Sequence, residues 1–345
     1  MNEKLKLFVR VSAAVLLVTL MVFLSELIDE KEILFPEAAA LALGGLAAEH
    51  MPWRVTPVRM AVLMSAGGFA GYFLSAFMPG PLWVKIILAF IFCCIMLWLS
   101  GTTMLPMISA AVLPVITHAE SLMYPLSVII ITATVLLIRY ILISTGMRQD
   151  DEECSCRRGA FIPFALHYGY LCIVLMIISA IALGTGKVFI IAPPLIVAFA
   201  ELSEKESPAR RSPVLIFLCV TMCALTGTIS RLLICQAAGY HAAVGAFFAA
   251  VLSMALLMRF GKPFPPAAAL AILPFILPES ELTAYPFEAA AGMALFTLTI
   301  LLPARIRKLS NQRRRAAGVS SRCVPALGNS RNRSLRSLCT HKETS

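Results

Sequence analysis

Apolar residues occur in long continuous stretches separated by short polar breaks, without the every-other-residue alternation of a strand. The stretches fall at 7–28, 35–48, 58–78, 82–99, 104–116 and 124–143, and again at 161–183, 188–202, 214–235, 242–260, 265–277 and 285–302. A helix needs roughly 20 mostly apolar residues to cross about 30 Å of hydrocarbon. The pattern therefore predicts an all-α, polytopic transmembrane helical bundle rather than a barrel.

A charged stretch divides the twelve segments into two sixes. The expected organisation is a first transmembrane repeat at 1–146, a cytoplasmic linker at 147–160, a second repeat at 161–304 and a basic, disordered cytoplasmic tail at 305–345. Four segments, two in each half, start at or near proline and hold only about 13 to 16 residues, which at 1.5 Å per residue reach roughly 20 to 24 Å. They are expected to be half-helices.

Charge then orients the chain. If the segments alternate from a cytoplasmic start, Arg54, Arg59, Arg148 to Arg158, Arg210, Arg211, Arg259, Lys262 and the tail fall on one side. Glu26 to Glu32, Glu120 and the acidic residues after Pro278 fall on the other, with Lys85 and Lys187 as its few bases. This is the positive-inside pattern, with both termini cytoplasmic in a bacterial inner membrane. Twelve crossings fit it better than eight crossings with four re-entrant insertions, which would put Arg54 and Arg59 outside.

Composition agrees: 59% of the 345 residues are hydrophobic and 14% are charged. The net charge of +10 lies in loops and tail, so it signals topology rather than nucleic-acid binding. The tail's arginines could also attract anionic lipid headgroups. Most of the ten cysteines lie in apolar stretches and imply no disulfide framework, and Cys154 and Cys156 alone are too few for a closed zinc site. The basic residues before the first apolar run resemble a signal peptide, but acidic residues follow in place of a small-residue cleavage site, so this run is read as a retained span.

The halves repeat one another. Pro52-Trp53-Arg54-Val55-Thr56-Pro57 matches Pro208-Ala209-Arg210-Arg211-Ser212-Pro213, and Gly71 matches Gly227 at the same offset. Gly101, Pro106 and Pro114 match Gly261, Pro266 and Pro274 at an offset four residues longer, and Tyr124-Pro125 matches Tyr285-Pro286. Collinear Gly and Pro matches are not explained by hydrophobic composition. With an even number of segments in each copy, the two should be parallel and related by a pseudo-two-fold along the membrane normal. A weaker echo links Pro36 to Leu43 with Pro265 to Ile272, the second segment of one half and the fifth of the other. It would make each half an inverted pair of three-segment units.

Phe264-Pro265-Pro266-Ala267-Ala268-Ala269-Leu270 resembles the motif of the HPP family of integral membrane proteins, with Phe264 where the family has His. Met104-Leu105-Pro106 is a more eroded copy, and Ala192-Pro193-Pro194 followed by Ser207-Pro208-Ala209-Arg210 resembles the family's other stretch. The resemblance implies a fused tandem of the family's domain and allows nitrite transport, which is associated with some members. The missing His puts a His-dependent step in doubt.

Proline-led helix starts carry partial positive charge and attract anions. The candidate solute-binding residues are Pro36, Pro106, Pro194, Pro265 and Pro266, with Ser109 beside them and Glu37, Arg231 and Glu288 as ionisable groups inside spans. Arg231 is the foremost anion contact in this reading. All three ionisable groups also lie near enough to segment ends to be wetted there, and proline starts and alanines serve packing equally well. His167 and His241 read as hydrogen-bonded bystanders. The sequence holds no hydrolase, metalloprotease or nucleotide-binding motif, so no enzyme, cofactor or metal is expected. The expected function is a secondary transporter or channel for a small solute, an inorganic anion such as nitrite, working in the lipid bilayer. A membrane scaffold or accessory subunit is the alternative, and a homo-oligomer is left open.

Overall fold

The computed structural model describes residues 3–151, 158–204, 207–261 and 263–320, with side chains as far as 302. Cys154, Cys156, Lys262 and the tail beyond 320 lie outside the described residues. Two units are distinguished, one ending at Ile300 and one beginning at Leu301.

The first half comprises α1 (Glu3–Ile28), α2 (Glu37–Ala42, widened into a π turn at Leu43–Ala47), α3 (Pro57–Ala76), α4 (Leu82–Ser100), α5 (Pro106–Thr117) and α6 (Met123–Ser144). The second comprises α7 (Phe161–Gly184), α8 (Pro193–Ser203, after a 3-10 turn at Val188–Ile191), α9 (Pro213–Ser230, continued as π helix over Arg231–Ala237), α10 (Ala242–Arg259) and α11 (Pro265–Ile272, with a 3-10 turn at Leu273–Phe275). The single turn α12 (Glu279–Leu282) leads into α13 (Tyr285–Ser320). Helix therefore continues to Ser320, where disorder was expected from 305.

Among the described residues, eight helices are long and apolar enough to cross a membrane, and the chain is a polytopic helical membrane protein. Their outer faces carry exposed Phe8, Leu16, Ile130 and Leu166, each more than 60% exposed. Exposing such side chains to water would cost about 1.5–3 kcal/mol apiece, so lipid is the solvent they fit. The four short helices are the reverse case. Every residue of Glu37–Ala42 and of Pro265–Ile272 is buried, and so is every residue of α5 before Thr117.

Small residues explain why the short helices occupy the centre. A Cβ added at Gly71 of α3 would strike the Ala111 carbonyl of α5, and one at Gly227 of α9 would strike that of Ala271 in α11. Backbones this close leave room for nothing larger.

These equivalent contacts also carry the repeat into three dimensions. Tyr124 donates its hydroxyl to the Ala110 carbonyl at 2.8 Å and Tyr285 donates to that of Leu270 at 2.8 Å. Phe35 meets Tyr124 edge-on at 6.2 Å, as Phe189 meets Tyr285 at 5.8 Å. Gly101 and Gly261, with φ of 65° and 60°, end the matching helices α4 and α10 in the left-handed conformation. The halves interlock reciprocally: α1 packs on α10 and α4 on α7, while α2 packs on α11 and α5 on α8. Each half thus lends its first and second segments to the fourth and fifth of the other.

Candidate functional site

Two cavities occupy opposite ends of the central helices. One, of about 490 Å³, is rimmed by exposed Lys31, His118 and Pro278, and Leu113, Pro193 and Leu273 form its deeper wall. The other, of about 540 Å³, is rimmed by exposed His50, Arg54 and Pro263 and includes Leu105, Glu201 and Phe264. Phe264 contributes an apolar face here.

The chain enters and leaves each short segment through different cavities. Residues before α2 line the first cavity and residues after its π turn line the second; α8 runs the same way. The residues around the starts of α5 and α11 line the second cavity and those around their ends line the first. The four short segments therefore connect one end of the bundle to the other and do not turn back.

Between the cavities lies a void of about 10 Å³, lined by Glu37, Ala40, Pro106, Pro194, Val197, Pro266 and Ala269. That is about the space of one water. All four short helices reach it with their first turns, α2 and α8 from one side and α5 and α11 from the other. The sequence-predicted prolines are thus brought together, Pro106, Pro194 and Pro266 in the wall and Pro36 and Pro265 one residue behind it.

Four helix N-termini converge here, each equivalent to roughly half a positive charge. Their donors are largely spent, however. The proline nitrogens carry no hydrogen, and the N–H groups of Ala38, Ala39, Met107, Ile108, Leu195 and Ala267 are taken by the carbonyls just upstream. The void is met by dipoles and proline rings rather than by an array of free N–H groups. It also contains a carboxyl group. Glu37 is 1% exposed, its Oε1 accepts the Ser109 hydroxyl, and its Oε2 has no partner. Its place at the centre corrects the reading of Glu37 as a residue wetted near a segment end.

Arg231 and Glu288 are elsewhere. The Arg231 guanidinium donates to the carbonyls of Pro274 and Leu277, the latter at 2.6 Å, at the end of α11. It caps a helix C-terminus, where a cation is favoured by the dipole and supplies the missing donors. Arg148 does the same for α2 through Leu46 and Ala48, and Arg210 for α8 through Ser203. Three of the four short helices thus end on an arginine, and Arg231 acts as a clamp on the end of α11. Arg231→Met is expected to lower the thermal midpoint of purified protein, with each carbonyl left unpaired costing about 1–3 kcal/mol. A variant with unchanged stability would refute the clamp.

Glu288 is 5% exposed, accepts the Phe189 N–H at 3.1 Å and lies 3.9 Å from Lys187, so it caps the turn before α8. The two histidines are held as expected, His167 at 3.0 Å from the Ser203 hydroxyl and His241 at 3.0 Å from Glu26. Glu26 also accepts the N–H of Ala242 at the start of α10.

Sequence reasoning passed over Glu201. Its Oε2 is buried without a partner, and it lies one turn beyond Val197 on the same face of α8, on the wall of the second cavity. The available signal was an ionisable residue inside an apolar segment, the same criterion that singled out Glu37. No group of metal-binding side chains occurs among the described residues.

The chain matches no family model, no curated protein and no solved structure. What the fold itself establishes is a polytopic helical membrane protein with four short, buried helices at its centre.

Proposed function

We propose that the chain is a secondary transporter that passes a small solute between its two cavities through the ring of four half-helices. One observation carries this reading: cavities of about 490 and 540 Å³ lie at opposite ends of the short helices, with a void of about 10 Å³ at the helix starts between them. Such a centre needs little movement to open toward either side, as alternating access requires. Cavities lined by residues of both halves are what a purely packed scaffold would lack.

The solute class we favour is a small inorganic anion such as nitrite. Four converging helix dipoles and the HPP-like prolines support it, and the few free donors imply that the anion is attracted by the field more than gripped. The distribution of Lys and Arg supports cytoplasmic termini in a bacterial inner membrane.

Purified protein in proteoliposomes, offered nitrite, nitrate, formate and chloride, is expected to show saturable uptake of at least one. Ala40→Leu, which fills the void, is expected to abolish that uptake while the protein stays monodisperse. Uptake of none of the four anions would overturn the anion reading, and uptake unchanged by Ala40→Leu would remove the void from the path.

A further inference from the structure

The central void contains a feature that anion transport alone does not require: an acidic side chain in its wall. We propose that Glu37 is a proton-binding site, and that the proton it binds and releases moves with the solute. The inference rests on the transporter reading for its coupling role, but the proton site itself stands on separate geometry.

Glu37 is the first residue of α2, held inward because Pro36 precedes it and Ala38 to Ala40 pack the rest of the turn in the core. It is the one ionisable residue in the wall of the void. Ser109 of α5 meets Oε1, and Oε2 has no partner. An ionised carboxyl would leave that oxygen in an apolar wall without a donor, which costs several kcal/mol. A cation must therefore visit it or the wall must open.

A metal ion is a poor fit. Metal cations of the calcium and magnesium type take six or more oxygen ligands, and this wall offers one carboxyl and one hydroxyl. A proton needs a single oxygen. Ser109 suits both states, because its hydroxyl can donate to the carboxylate and can accept from the carboxylic acid.

Among the described residues, the elements packed on Glu37 supply no fixed counter-charge. The packed elements α5 and α11 and the π turn after α2 contain no titratable side chain. The phenols of Tyr124 on α6 and Tyr285 on α13 both donate to backbone carbonyls. The ionisable residues of α1 sit at its two ends, Glu3 to Arg10 and Glu26, and Arg139 of α6 pairs with Asp151 near the second cavity. Glu201, one turn along α8 from the wall, is the next carboxyl toward that cavity.

The cycle balances simply. With the wall open to one cavity, the carboxylate takes up a proton and becomes the neutral acid. A neutral acid no longer repels an anion drawn by the four helix ends. Opening to the other cavity returns the proton to water and the anion with it, so one proton accompanies each anion.

Infrared spectroscopy of the full-length protein in lipid, titrated across pH, tests the site without any solute. The wild type is expected to show a carboxylic-acid C=O band that disappears on alkalinisation. Glu37→Gln should lose it, Ser109→Ala should shift its frequency, and Glu201→Gln should keep it. Because Glu201 is a second carboxyl with a buried unpartnered oxygen, the decisive comparison is made in a Glu201→Gln background: a band that survives Glu37→Gln there, or the absence of any such band at every pH, would overturn the proposal. In proteoliposomes, nitrite accumulation driven by an imposed pH gradient should be lost in Glu37→Gln; accumulation that remains gradient-dependent in this variant would overturn the coupling. Should no anion be taken up at all, the infrared result still decides the proton site, so the two readings fail separately.

Discussion

Gly227→Leu is expected to leave little folded protein, whereas Gly169→Leu is expected to leave the yield unchanged. Both glycines lie inside long spanning helices, and their surroundings differ. A Cβ at Gly227 would meet the backbone of Ala271, with its carbonyl carbon at 2.7 Å and Cα at 2.9 Å, while a Cβ at Gly169 meets nothing within 4 Å. Overpacking against side chains typically costs about 1–3 kcal/mol because rotamers can yield. Backbone cannot yield in that way, so α9 and α11 must separate and the loss is expected at or above the top of that range. The displaced helix carries Pro266 and Ala269, so any protein that does fold should have a disturbed central void. Gly71→Leu, which meets the Ala111 carbonyl in the other half, should behave alike. The check is the yield of monodisperse protein and its thermal midpoint in detergent; a Gly227→Leu protein as stable as Gly169→Leu would disprove the close approach.

The second large effect is expected at Arg148, which ties the linker to the end of α2. Its side chain is fully buried. It donates to the carbonyl of Ala48 at 2.7 Å and to Asp151 at 3.2 Å, and Asp151 also accepts from Arg139 and from the Met51 N–H, each at 3.0 Å. Removing Arg148 leaves the buried carbonyls of Leu46 and Ala48 without this donor, at about 1–3 kcal/mol each, while Asp151 keeps Arg139 and the Met51 N–H. Arg148→Met is therefore expected to lose about that much stability. Asp151→Asn should cost less in that background than in the wild type, since contacting residues are not additive.

The same latch predicts acid sensitivity. Burial alone would push the Asp151 carboxyl up, but the Met51 N–H and the charges of Arg148 and Arg139 outweigh it and hold the group below the usual carboxylate range. A carboxyl depressed in the folded state contributes stability above its unfolded value, about 4, and loses it as pH falls through the lower folded value. The thermal midpoint should fall below about pH 4 in the wild type and fall less in Asp151→Asn. Equal losses in both proteins would place the acid sensitivity elsewhere.

The twelve segments were legible in the sequence because hydrophobic length is a local property. The expected stretch 124–143 is Met123–Ser144 in the structure and 161–183 is Phe161–Gly184. The repeat was legible too, since glycines such as Gly71 and Gly227 answer to one steric requirement at equivalent places. The clustering of the prolines at a common centre was consistent with their position at helix starts.

The roles of the charged residues were not legible. Arg231, Glu37 and Glu288 each read as an ionisable residue near a segment end, yet one clamps a helix C-terminus, one faces the central void and one caps a turn. A side chain's partner is set by which carbonyl or hydroxyl the fold brings within about 3 Å, and those partners lie tens of residues away along the chain. The sequence by itself determined the solvent and the helical, multi-span character of the chain, both functions of hydrophobic length. Only the tertiary structure decided that the four half-helices meet nose to nose and that a single carboxyl stands between them, because convergence and burial are properties of helices packed together.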